Sequence, residues 1–141
     1  GAVDRNRGLP RADAKAPGGS GDHRGAGARP CQRAFWSRHL ADLPLEHAEL
    51  LAGLPLGQDF AYFQRPEAKL RAGIWRSTAY TERYESYPTD EFMVILKGEV
   101  TLENDQVSET FREGDSFFVP KGFKGVWRQP VDMVKFYVIV E

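Results

Sequence analysis

Glu91-Phe92-Met93-Val94-Ile95-Leu96-Lys97-Gly98 runs directly into Glu99-Val100-Thr101-Leu102-Glu103, and Asn104-Asp105 then leads to a third run over 106–111. Each run is short, rich in β-branched and large apolar residues, and bounded by turn formers, which is the pattern of strands. Lys97-Gly98 supplies one turn, and Asn104-Asp105 reads as a two-residue hairpin connection. Alternation along the first run puts Glu91, Met93 and Ile95 on one face and Phe92, Val94 and Leu96 on the other.

The same reading extends in both directions. Strand-type runs are predicted over 60–63, 72–80, 91–96, 99–103, 106–111, 116–119, 124–128 and 133–140, with turns at Tyr87-Pro88-Thr89-Asp90, Glu113-Gly114-Asp115 and Pro120-Lys121-Gly122. So many short strands in so little chain imply an all-β sandwich or small barrel. Ahead of them, Asp42-Leu43-Pro44 followed by Leu45, His47, Ala48, Leu50 and Leu51 reads as a short helix. Asp42 would be its N-cap and Gly53 its stop. Residues 1–30 hold seven Gly, six Ala, five Arg and three Pro, with only Val3 and Leu9 as large aliphatics. Too little apolar surface is present there to offset chain ordering, so a disordered arm is expected over 1–34, a helical preface over 35–59 and the β domain over 60–141. The arm lacks the apolar centre of a secretory signal, and its Asp and Gly residues spoil the amphipathic basic helix of a transit peptide. It is either a natural tail or sequence upstream of the domain.

Composition narrows the function classes. The 141 residues are 41% hydrophobic and 12% aromatic with formal net charge −1, enough for one core and without the basic excess of a nucleic-acid binder. No run of 18 apolar residues exists, so no spanning helix is expected. A single cysteine, Cys31, provides neither a disulfide within the chain nor a cysteine zinc cluster.

Glu91-x6-Gly98 and Gly114-x5-Pro120-x-Gly122 resemble halves of the two motifs of the cupin superfamily, Gly-x5-His-x-His-x(3,4)-Glu-x6-Gly and Gly-x5-Pro-x-Gly-x2-His-x3-Asn. With Tyr87-Pro-Thr-Asp-Glu-Phe92, Gly122-Phe-Lys-Gly-Val-Trp127 and Lys135-Phe-Tyr-Val-Ile139, the chain is similar to the ureidoglycine-aminohydrolase-like branch, small single-domain cupins of the cupin_3 or DUF861 type. The resemblance covers roughly residues 60–141 and implies a jelly-roll barrel with Glu91 facing inward. Gly98 and Gly122 would serve turns of positive φ, and Pro120 a strand end.

The resemblance also shows what is missing. The metal ligands of cupins fall here on Glu85, Tyr87, Glu91 and Gly125, and the terminal Asn of the second motif is Gln129. Gly125 has no side chain, and His23, His39 and His47 all precede the motifs. An imidazole-rich centre therefore cannot be assembled from the barrel, and no metal and no cofactor is expected.

If Glu91 faces inward, so do Met93 and Ile95; if Gly125 does, so does Trp127. On the long strand over 72–80, either Trp75, Ser77 and Ala79 or Ile74, Arg76, Thr78 and Tyr80 line the interior. Lys135 and Tyr137 share one face, of open direction. The candidate site is thus Glu91 as acid or base, with Tyr84, Glu85, Tyr87, Trp127, Arg76 and Lys135 around a ligand. Each has a plainer reading. Glu91 is equally a buried ion-pair partner. Trp75 and Trp127 read as core before ligand platform, and Tyr84 and Tyr87 equally as a rim. Lys121 and Lys124 read as a solvated turn, His39 and His47 as surface helix residues, and Cys31 as unreactive.

The expectation is a cytoplasmic cupin that binds a small-molecule ligand without a tightly bound metal, forms a homodimer, and touches neither nucleic acid nor membrane. The alternatives are an amine- or ureide-metabolising enzyme that uses Glu91, and a protein-interaction module.

Overall fold

Strand pairing dominates the chain. The computed structural model describes residues 41–141. The expected arm, the domain start near Phe35, Cys31, His23 and His39 lie outside the described residues. Among the described residues, eleven strands occur in order: β1 (Leu43–Pro44), β2 (Glu49–Gly53), β3 (Leu56–Arg65), β4 (Leu70–Ser77), β5 (Tyr80–Tyr84), β6 (Asp90–Lys97), β7 (Glu99–Glu103), β8 (Ser108–Arg112), β9 (Ser116–Val119), β10 (Gly125–Gln129) and β11 (Met133–Val140). Among the described residues, no helix is long and apolar enough to cross a membrane.

The strands form two antiparallel sheets, one of six in the order β1-β3-β4-β11-β6-β9 and one of five in the order β2-β5-β10-β7-β8. Their inner faces enclose a core of Met93, Ile95, Val100, Phe117, Trp127 and Tyr137, among others. The sheets remain separate, so the expected closed barrel is a sandwich. Gly98 and Gly122 take φ values of 87° and 88°, as their turns require. The loop after β7 is longer than the two residues expected: Asn104 N–H donates to Val107 O, while its side-chain oxygen accepts from the backbone of Gln106 and Val107. That side-chain bonding makes the connection an Asx turn.

Two expectations are corrected. The segment expected as a helix over 42–53 forms β1 and β2 instead. Leu50 lies opposite Glu82 of β5, and Ala48 N–H donates to the Glu82 carboxylate at 2.7 Å, so distant partners satisfy this backbone. The long run over 72–80 is two strands in different sheets, with the chain crossing over at Thr78-Ala79. On β4 the first alternative holds, with Trp75 and Ser77 toward the interior and Ile74 and Arg76 away from it, whereas of the second only Tyr80, now on β5, faces inward.

Candidate functional site

β11 runs between β4 and β6, and this central position sets the site. Lys135 sits opposite Trp75 on one side and Ile95 on the other, so it shares the inner face with Glu91 and Met93. Its ammonium nitrogen lies 2.6 Å from Glu91 Oε2 and 3.3 Å from Met93 Sδ. The same nitrogen stands 4.7 Å from the Trp75 ring centre and 5.0 Å from that of Trp127. An ammonium in this setting is held by a carboxylate and two aromatic faces rather than by water. Glu91 Oε1 accepts the Tyr87 hydroxyl at 3.1 Å, which leaves the carboxylate with a cation on one oxygen and a donor on the other.

A second buried carboxylate faces this pair from the other sheet. Glu82 is fully buried on β5. It accepts the hydroxyls of Tyr80 and Tyr84, two residues away on either side on the same strand face, together with the Ala48 N–H. Burial, and then the Glu82 charge, push the Tyr80 and Tyr84 hydroxyls well above the ordinary tyrosine range. Burial and the Glu91 charge do the same to Tyr87. All three are fixed as protonated donors to carboxylates.

Between the β5–β6 loop and the segment joining β1 to β2 opens a cavity of about 640 Å³. Its floor includes Glu91, Lys135, Trp75 and Tyr87; Tyr80 and Tyr84 form one wall, and Asp59, Arg71 and Tyr137 the other. Gly73 makes that last wall possible. A Cβ there would sit 2.8 Å from the Tyr137 hydroxyl and 2.3 Å from Phe60 O, so glycine lets Tyr137 pass and donate to Asp59 at 2.6 Å.

Of the residues chosen from sequence, Glu91, Tyr84, Tyr87 and Lys135 meet at this cavity. Trp127 is buried behind it, supporting Lys135. Glu85 and Arg76 lie elsewhere. Glu85 is exposed and pairs with Lys124 at 3.0 Å, and Arg76 pairs with Asp42 on the outer face. Lys121 and Lys124 are exposed, as expected of a solvated turn. His47 is exposed at the cavity rim on a strand connection, where its ring lies 3.1 Å from Leu45 O. Glu82, Asp59 and Arg71 were missed. The alternation Tyr80-x-Glu82-x-Tyr84 was the available signal for Glu82, and nothing local distinguishes Asp59 or Arg71.

The residues do not fit the metal centre of metal-binding cupins. A Cβ on Gly125 would lie 2.6 Å from both Glu103 O and the Phe123 ring, so the space of the absent ligand is filled. Glu85 points away, and Glu91 already holds an ammonium. Among the described residues, no group of three His, Cys, Asp or Glu side chains is gathered to hold a metal ion.

The sequence profile of the EutQ-like cupin domain matches residues 65–137, a span that includes Glu91, Lys135 and both motif halves. A Pseudomonas syringae pv. tomato protein of unknown function in the DUF861 family is similar in structure, with 25% identity and a TM-score of 0.65 over 72% of this chain and 45% of its own. The EutQ protein of Clostridium difficile aligns with 21% identity and a TM-score of 0.52, over 61% of this chain and 68% of its own. Among curated proteins, no sequence matches this chain.

Proposed function

Because the chain belongs to the EutQ-like cupin domain family, we propose that its sandwich binds a small polar metabolite in the cavity above Glu91 and Lys135, without a tightly bound metal. The observation that carries this reading is the cavity itself. Its volume of about 640 Å³ lies within the roughly 300–1,000 Å³ of small-molecule sites, and its floor is a buried ion pair whose carboxylate also accepts the Tyr87 hydroxyl. The metal-free part of the proposal is supported by Phe123 beside Gly125 and by the ammonium on Glu91.

A thermal-shift screen with small amines, carboxylates, amides and divalent metals tests it. A ligand at about a hundred times its Kd should raise the melting temperature by on the order of 10 °C for a domain of this size. Tyr87→Phe or Lys135→Met should reduce that shift. A screen in which Mn, Ni or Zn stabilises the chain strongly and no organic compound does would overturn the proposal.

A second reading is favoured by one observation. A carboxylate and an ammonium 2.6 Å apart, with a phenol donor on the other carboxylate oxygen, form a proton-transfer set facing a cavity. In that reading Glu91 moves a proton on a bound metabolite, and Tyr87 steadies developing negative charge. Turnover of a ligand found in the screen, lost in Glu91→Gln while binding persists, would distinguish enzyme from binder.

A further inference from the structure

Arg71 lies on the inner face of β4, opposite Gln64 of β3 and Ile139 of β11. Its guanidinium belongs to the wall of the same cavity and stands 6.0 Å from the centre of the Tyr137 ring. Its Nε is buried and has no hydrogen-bond acceptor. The cavity's other cation, Lys135, has a carboxylate partner, whereas the Asp59 carboxylate meets only a neutral hydroxyl. Glu91 holds Lys135, and Asp59 accepts the Tyr137 hydroxyl at 2.6 Å. Glu46 is exposed at the rim. Among the described residues, Arg71 makes no ion pair, and it is the cation of this wall left without a carboxylate partner.

A guanidinium offers a planar fork of donors that matches two oxygens of a carboxylate or phosphate. Arg71 is half-buried where it lines the cavity, so its guanidinium is less hydrated than a fully exposed one and gives up less water on meeting an oxyanion. We propose that Arg71 is the oxyanion subsite of the cavity, and that the ligand is a small molecule with a carboxylate or phosphate at the Arg71 end. Its remaining polar groups reach toward Tyr87 and the Glu91–Lys135 floor. Asp59 beside the subsite disfavours a bare polyanion and favours a ligand with a hydroxyl or amino donor next to the oxyanion. This inference rests on the proposed cavity-binding function and adds the chemical class of the ligand.

Calorimetric titration of the full chain with glycolate, its neutral isostere glycolamide, and inorganic phosphate tests the subsite in the parent, Arg71→Gln and Arg71→Lys. Circular dichroism melts establish that each variant folds. Glycolate should bind the parent at least ten-fold more tightly than glycolamide. Arg71→Gln should lose that preference, and Arg71→Lys should retain part of it. Phosphate binding in place of glycolate would assign the subsite to phosphorylated ligands. Equal binding of glycolate and glycolamide, unchanged in Arg71→Gln, would overturn the role of Arg71 and leave the cavity a binding site. Absence of binding by all three probes, together with a thermal-shift screen that finds no organic ligand, would overturn both.

Discussion

Glu91 and Lys135 form an ion pair with side-chain exposures of only 6% and 8%. Removing one partner strands the other where water cannot replace it, a change that typically costs about 3–5 kcal/mol. Glu91→Gln and Lys135→Met should each lower the unfolding free energy by about this much in urea melts. The double variant should recover most of the loss, because neither charge is then left alone. Additive losses in that cycle would mean that the two groups are not coupled. Glu91 was legible in the sequence because the motif fixes its parity, and Met93 and Ile95 follow from it. Lys135 was legible only as a residue sharing a face with Tyr137; its direction depends on β4 and β6 flanking β11. Glu85 was chosen because a cupin metal-ligand position falls on it, and Arg76 because one of the two open parities of the 72–80 run would place it inside. Parity turns Arg76 outward, and Glu85 lies beyond the last residue of β5, where Lys124 is within reach.

β5 carries Tyr80, Glu82 and Tyr84 on one face, and its chemistry predicts how the protein responds to alkali. In the unfolded chain these tyrosines ionise near about pH 10, whereas burial and the Glu82 charge keep them protonated in the fold. The folded state then holds protons that the unfolded state has released. Their stabilisation is complete below about pH 10 and declines as pH rises further, by about 1.4 kcal/mol per pH unit for each tyrosine. Urea melts between about pH 9 and 11 should show this decline, and it should be shallower in Tyr80→Phe and Tyr84→Phe despite their lower starting stability. An equal slope in parent and variants would show that neither hydroxyl is held as described. The same element explains the one large misreading of local structure. Leu45, His47, Ala48, Leu50 and Leu51 fit a helical period, but the partners that decide β2 are Glu82, Thr81 and Tyr80, some 30 residues later. Leu51 is 42% exposed, which a helix burying that stripe would not have produced. Strands from β6 onward were legible because turn formers punctuate them; β4 and β5 merged because Thr78-Ala79 carries no such signal.

Across the molecule, the cavity joins the best-supported strand to the least-supported ones. β11 pairs along its length with both β4 and β6, and all but three of its residues are buried. β1 has two residues, both exposed, and β2 is an exposed edge strand paired only to β5. Glu91 and Lys135 on the floor thus belong to the centre of the six-stranded sheet, while Pro44, Glu46 and Ala48 at the rim belong to segments with few buried contacts. Local opening follows burial and pairing, so its free energy should fall from floor to rim. Hydrogen exchange followed by mass spectrometry should find the amides of β11, β4 and β6 exchanging last, near the rate of global unfolding. Those of 43–53 should exchange first, through local opening that leaves the six-stranded sheet intact. A bound ligand that touches both floor and rim should slow exchange over 43–53 far more than over β11, because only the rim has local opening left to suppress. Exchange of β11 as fast as β2 would mean that the floor opens with the rim. The Glu91–Lys135 pair would then meet water at each opening, and its charges would no longer be coupled in a dry site.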